Sequence, residues 1–208
     1  MNVRIVGRSS SHFTRVACLF AEELGVPWTL DVVHDITSET PATFGGNPAL
    51  KIPTLVEGDV SLFGTENICR RLVELSAHRD DVVLPEALTS PLLRNAQELT
   101  WHAMAAQVQL VFGTVVHALP ADDGYFRKAA AGLTSSLAWL DQHLAAVLAA
   151  LPPRRLSLLE VTLFCLVEHS AFRRTVSLEP LANLRAFAAE FSRRPSASRT
   201  AYRFDAKG

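Results

Sequence analysis

The chain has 208 residues, 49% of them apolar and 20% charged, which is enough to build one large core or two small ones and argues against disorder. Its 20 basic and 21 acidic side chains leave a formal charge of −1, which argues against a non-specific nucleic-acid binder. No uninterrupted apolar run reaches the ~18 residues that span a bilayer, and the N-terminus lacks the apolar stretch and cleavage site of a signal peptide. The three cysteines, Cys18, Cys69 and Cys165, form neither a CxxC pair nor a metal-ligand spacing. The expectation is a cytoplasmic, reducing setting, with no metal, no membrane and no nucleic-acid partner.

Val3 to Val6 is expected to be a strand, ended by Gly7. Phe13, Val16, Ala17, Phe20 and Leu24 recur at helical spacing, and Gly25 stops that helix. Trp28 to Val33 alternates as a second strand. Glu39 to Gly46 reads as a short irregular helix. Thr54 to Val56 and Val60 to Leu62 flank Glu57-Gly58-Asp59 as a hairpin, and Thr65 to Ser76 is helical. This order suggests a small mixed sheet with helices on both faces.

Beyond residue 91 no strand is expected. Pro91 to about Leu119 reads as one long helix and Asp122 to Leu151 as another, stopped by Pro152-Pro153. Ser157-Leu158-Leu159-Glu160 has the form of a capping box that opens a helix to about Phe172. Pro180 to Ser192 and a short helix from Pro195 to Ala201 complete an all-α bundle. The expected domains are 1–77 and 91–208, with 78–90 as linker.

These motifs, in this order, resemble the glutathione S-transferase superfamily, of the serine type and bacterial-like. Four pieces carry the resemblance. They are the Ser-rich loop Arg8-Ser9-Ser10-Ser11-His12-Phe13-Thr14-Arg15-Val16, the stretch Asn47-Pro48-Ala49-Leu50-Lys51-Ile52-Pro53-Thr54-Leu55, the segment Leu62-Phe63-Gly64-Thr65-Glu66-Asn67-Ile68, and the Ser157 box with Arg194-Pro195-Ser196. The resemblance implies an α/β thioredoxin-like N-terminal domain and an all-α helical-bundle C-terminal domain. It also implies glutathione as co-substrate, a small hydrophobic electrophile bound between the domains, and a homodimer.

Glutathione chemistry needs a thiolate, and a free thiol has a pKa near ~8.5. A hydroxyl aimed at the sulfur, at the positive end of a helix, favours the anion. The loop before the first helix offers both. By its spacing from the Arg-Val pair in similar serine-type families, Ser10 is the expected activating residue, with Ser11 in reserve. Either serine could instead be an N-cap only. His12 falls in the first helical turn, where it is expected to be partly exposed, with contact to the thiolate or another polar group as the alternative. With no cysteine in this loop, disulfide exchange is not expected there.

The resemblance further implies a cis Ile52–Pro53 bond, whose Ile52 backbone pairs with the peptide ligand, and a contact from Lys51 to its glycyl carboxylate. Thr65, at a helix start, would meet the γ-glutamyl carboxylate. Gly64 departs from the acidic residue usual in the family, and Glu66 is the candidate replacement. The implied function is conjugation of glutathione to an electrophile in detoxification. The alternatives are another glutathione-dependent enzyme (isomerase, dehalogenase or peroxidase) or a non-catalytic module on the same fold, the latter favoured by Gly64.

Overall fold

The computed structural model describes residues 3–206. They form two compact units. The first runs up to Val82 and takes in the residues from Arg193 onward, and the second is Val83–Ser192. The expected second domain of 91–208 therefore loses its last stretch to the first unit. Polar contacts to the first helix, described below, hold that stretch there, and they join residues too far apart for sequence spacing to reveal.

The first unit opens with β1 (Val3–Gly7), α1 (His12–Leu24) and β2 (Trp28–Val32). The predicted irregular helix is a 3-10 turn, Pro41–Phe44. Then follow β3 (Thr54–Glu57), β4 (Val60–Phe63) and α2 (Thr65–Leu75). The sheet order is β2-β1-β3-β4, with β1 and β2 parallel and the other pairs antiparallel. This is the mixed sheet expected from the element order, in the thioredoxin-like arrangement that the resemblance implies.

Side chains alternate across the sheet. Val3, Ile5 and Leu55 are buried with Val16, Ala17, Phe20, Ile68 and Leu72 of α1 and α2, which pack against each other. Val6, Val33 and Phe44 form a separate buried cluster, with Ile36, Leu50, Ile52 and Val56 against it. The expected helices on both faces reduce to α1 and α2 together and one 3-10 turn beside the second cluster. Gly25 caps α1 at φ 64, a left-handed conformation that suits glycine.

The second unit is built from α3 (Pro91–Leu110), α4 (Gly124–Ala150), α5 (Leu158–Arg173) and α6 (Ala182–Phe191). Leu156–Ser157 is a two-residue strand, too short for its alternation to be read from sequence. The helix predicted to reach Leu119 instead widens into a π turn at Val111–Val116. Gly113 sits in that turn, where a Cβ would lie 2.2 Å from Cε1 of Phe126 on α4. Pro91–Val116 is long and apolar enough to cross a membrane by length and composition. Interspersed polar residues hide this from a search for unbroken apolar runs. Two of them bond to α5 or just beyond it: Gln97 Nε2 donates to Thr162 Oγ1 at 3.2 Å, and Gln107 Nε2 to Ser170 Oγ at 3.2 Å and Thr175 Oγ1 at 2.8 Å.

The predicted capping box does not form. Ser157 is the N-cap of α5, yet its side chain makes no cap bond, and its buried Oγ meets no hydrogen-bond partner among the described residues. Glu160 turns instead to Arg154, with Nε–Oε2 at 2.5 Å and Nη2–Oε1 at 2.8 Å. A bidentate charged pair outcompetes the weaker reach of a carboxylate back to a backbone N–H.

Candidate functional site

Strand register gathers three separate stretches of chain at one end of the sheet. Val6 of β1 lies opposite Thr54 of β3, and Thr54 lies opposite Phe63 of β4. Just past these three residues the chain turns each time. Gly7 leads into the loop Arg8 to Ser11, Pro53 enters β3, and Gly64 leads into α2. Ser10 and Ser11, Ile52 and Pro53, and Thr65 thus share this end.

The loop is a tight turn in which Ser11 N–H donates to the Arg8 carbonyl at 3.1 Å. Arg8 N–H donates to Thr14 Oγ1 at 3.4 Å. Ser11 is the N-cap of α1, and its Oγ accepts from Thr14 N–H at 3.3 Å. Capping therefore falls to Ser11, and Ser10 precedes it, 4% exposed. Gly7 is required where α1 comes closest, because a Cβ there would lie 2.5 Å from the Thr14 side chain. The first turn of α1 itself holds no acidic residue. His12 is buried, not partly exposed as expected, and its ring meets Phe13 edge-on at 4.6 Å.

The Ile52–Pro53 bond is cis. The Ile52 side chain packs against the Val6, Val33 and Phe44 cluster. Lys51 has an exposed side chain, and its carbonyl accepts from Asn47 Nδ2 at 2.9 Å.

Thr65 is the first residue of α2 and is buried, while Gly64 occupies the N-cap position without a side chain to cap it. Gly64 has φ 86, in the left-handed region where a side chain is strained. Glycine, with no Cβ, meets that conformation without strain. Glu66 bonds to Arg70 one turn on, at 2.8 Å, so its carboxylate already has a cation. Arg71 joins α2 to the sheet through Glu57, and this hydrogen-bonded guanidinium holds the Glu57 carboxyl below its usual range.

One residue at this end escaped the sequence reading. Ser9 N–H donates to Asp205 Oδ2 at 2.9 Å, across 196 positions of chain. No local signal marks such a pair. Arg194 pairs with Glu23 of α1 at 3.0 Å. The three cysteines are buried, and none is in a disulfide. Among the described residues no group of His, Cys, Asp or Glu is arranged to hold a metal ion. A surface depression of about 450 Å³ at Ser170 to Leu178 contains none of the sequence-predicted site residues.

Residues 10–75 match the family described as glutathione S-transferase, N-terminal domain. No curated protein sequence matches the chain. Among solved structures, a glutathione S-transferase from Methylobacillus flagellatus KT with glutathione bound superposes with a TM-score of 0.79 at 20% identity, covering 97% of this chain and 100% of that one. A glutathione S-transferase from Methylobacterium radiotolerans JCM 2831, in complex with glutathione sulfonate, gives 0.74 at 17% identity, covering 100% and 99%. Glutathione transferase F2 from Populus trichocarpa gives 0.67 at 19% identity, covering 95% and 96%. At these identities the superpositions speak for the fold. Residues 10–75 are thus similar to the glutathione S-transferase N-terminal domain, and the chain as a whole shares the fold of these solved glutathione S-transferases.

Proposed function

We propose that this protein is a cytoplasmic glutathione transferase of detoxification, acting as a homodimer, that conjugates the glutathione thiolate to a small hydrophobic electrophile. The register Val6–Thr54–Phe63 carries the reading, because it sets a serine loop, a cis-proline and a helix N-terminus side by side. Two solved structures of the same fold have glutathione or its sulfonate bound.

In this proposal the Ser10 hydroxyl donates a hydrogen bond to the glutathione sulfur. The start of α1 adds its positive field, and the two together lower the thiol pKa. The serine does not attack; the thiolate sulfur does. It forms the new carbon–sulfur bond, and the electrophile's leaving group departs or its double bond takes up the electron pair. Ser11 is the reserve donor, since its Oγ accepts from Thr14 N–H and keeps its own proton for donation. Ile52 offers its backbone beside Pro53, Lys51 offers a cation to the glycyl carboxylate, and Thr65 offers its N–H and hydroxyl to the γ-glutamyl carboxylate. Glu66 takes the γ-glutamyl ammonium only by sharing its carboxylate with Arg70. Anion stabilisation and proximity supply the rate.

Gly64 favours a second reading, a binding module of the same fold with weak affinity for glutathione. Calorimetric titration with glutathione separates the two, with conjugation assayed on a panel of electrophiles, peroxides and halogenated acids. Saturable binding with electrophile conjugation supports the first reading. No heat of binding removes it, and turnover of peroxides or halogenated acids alone moves the activity to another glutathione-dependent class.

A further inference from the structure

We propose that Asp205 is a positioning residue for the Ser10 loop. This rests on the proposed role of Ser10 in activating the thiol.

The turn from Arg8 to Ser11 satisfies its own backbone in part. Ser11 N–H closes onto the Arg8 carbonyl, and Arg8 N–H is taken by Thr14 Oγ1. The Ser9 N–H, at the second position of the turn, is left over by these bonds. Asp205 supplies its acceptor at 2.9 Å. A carboxylate accepting from a backbone N–H is a charge-assisted bond, stronger than a neutral one. The Ser9 N–H lies in the Arg8–Ser9 peptide, one peptide before Ser10, so holding it fixes the plane from which the turn carries the chain on to Ser10.

Asp205 can do this because α1 anchors the chain that carries it. Arg15 Nη2 donates to the Ala197 carbonyl at 3.1 Å, and its guanidinium lies 4.3 Å from the centre of the Tyr202 ring. Arg194 bonds to Glu23 at 3.0 Å, and Arg199 to Glu22 at 2.5 Å. The helix whose N-terminus faces the candidate site therefore also holds the segment that delivers Asp205. Arg15 begins one turn after Ser11, and its N–H donates to the Ser11 carbonyl at 3.0 Å. Loop, helix start and returning segment form one hydrogen-bonded unit.

The test compares wild type with Asp205→Ala and Asp205→Asn in the full chain. Asn keeps an oxygen acceptor without the charge. Hydrogen exchange of the Ser9 amide reads the bond itself. Ultraviolet titration of bound glutathione reads the thiolate, and steady-state kinetics read kcat and the KM for the electrophile. In Asp205→Ala the Ser9 amide is expected to exchange roughly tenfold faster, as the loss of one hydrogen bond allows. The bound thiol pKa rises, kcat falls, and the electrophile KM stays within twofold. Asp205→Asn restores most of each. Unchanged amide exchange in Asp205→Ala overturns the proposal, as does an Asn variant that behaves like Ala. Should wild type bind no glutathione, the transferase reading fails and the catalytic role of Asp205 fails with it. Faster Ser9 exchange in Asp205→Ala would then show the bond to be structural only. If wild type binds glutathione while thiol pKa and kcat ignore both variants, only the positioning role fails.

Discussion

Glu57 on β3 and Arg71 on α2 meet through two hydrogen bonds, Nε to Oε2 at 2.8 Å and Nη2 to Oε1 at 2.9 Å. Arg71 also reaches Glu74, at 2.9 Å, so one guanidinium ties the helix both to itself and to the sheet. The pair sits on the helix that begins at Thr65, so it steadies one wall of the candidate site.

This pair has a pH signature. The Arg71 hydrogen bond lowers the folded-state pKa of Glu57 below its ordinary value, which is near ~4.3 in an unfolded chain. The stabilisation is therefore present above the unfolded pKa and is lost as pH falls through the folded one. Arg71→Ala should move the Glu57 titration upward in carboxyl-carbon NMR. Its stability deficit, read by urea unfolding, should be largest at neutral pH and vanish in acid. A deficit that persists at the acid end would remove the pair from the explanation.

The two serines separate cleanly by variant. Ser11→Ala removes the α1 cap and should cost about 1 kcal/mol of stability by denaturant unfolding. Ser10→Ala leaves that cap in place. It should lower conjugation roughly 100-fold, the scale for losing one donor to a developing anion, and raise the bound thiol pKa. Equal activity in Ser10→Ala with a loss in Ser11→Ala would move the thiolate donor by one residue.

Gly64 tests whether backbone or charge decides this position. A Cβ there meets nothing nearer than Asn67 Nδ2 at 3.6 Å, so space is not the obstacle, but φ is 86. Gly64→Ala should destabilise by about 1–2 kcal/mol through the left-handed backbone alone, and Gly64→Asn by less. Thermal unfolding of the two variants reads the difference. Equal stability of all three proteins would contradict the strain argument.

Ser157 offers the reverse experiment. A capping serine loses stability on change to Ala, by about 1 kcal/mol. A buried hydroxyl that meets no partner carries a desolvation penalty instead. Ser157→Ala should therefore be neutral or stabilising. Glu160→Gln should destabilise, because it weakens the bond to a half-buried Arg154. A clear loss in Ser157→Ala would restore the cap.

Most elements were legible from local pattern. Gly25 stops α1 where the spacing of Phe13, Val16, Phe20 and Leu24 ends, and the Gly58-Asp59 turn joins β3 to β4. The motif resemblance also pointed to the cis Ile52–Pro53 bond. The π turn at Val111–Val116 stayed hidden, and so did the close approach of Phe126 from another helix to Gly113 within it. Ser157 and Glu160 misled, because a four-residue motif contains no information about Arg154 as a competing partner.

Helix and strand formation depends on neighbours within a few residues, so the sequence alone determined the element order, the serine turn before α1 and the glycine before α2. Two things belonged to tertiary structure. They are the register that sets Val6, Thr54 and Phe63 in one row, and the return of Asp205 to Ser9. Each depends on atoms that approach only when distant segments pack together, and the energy of that approach is written in no single stretch of chain.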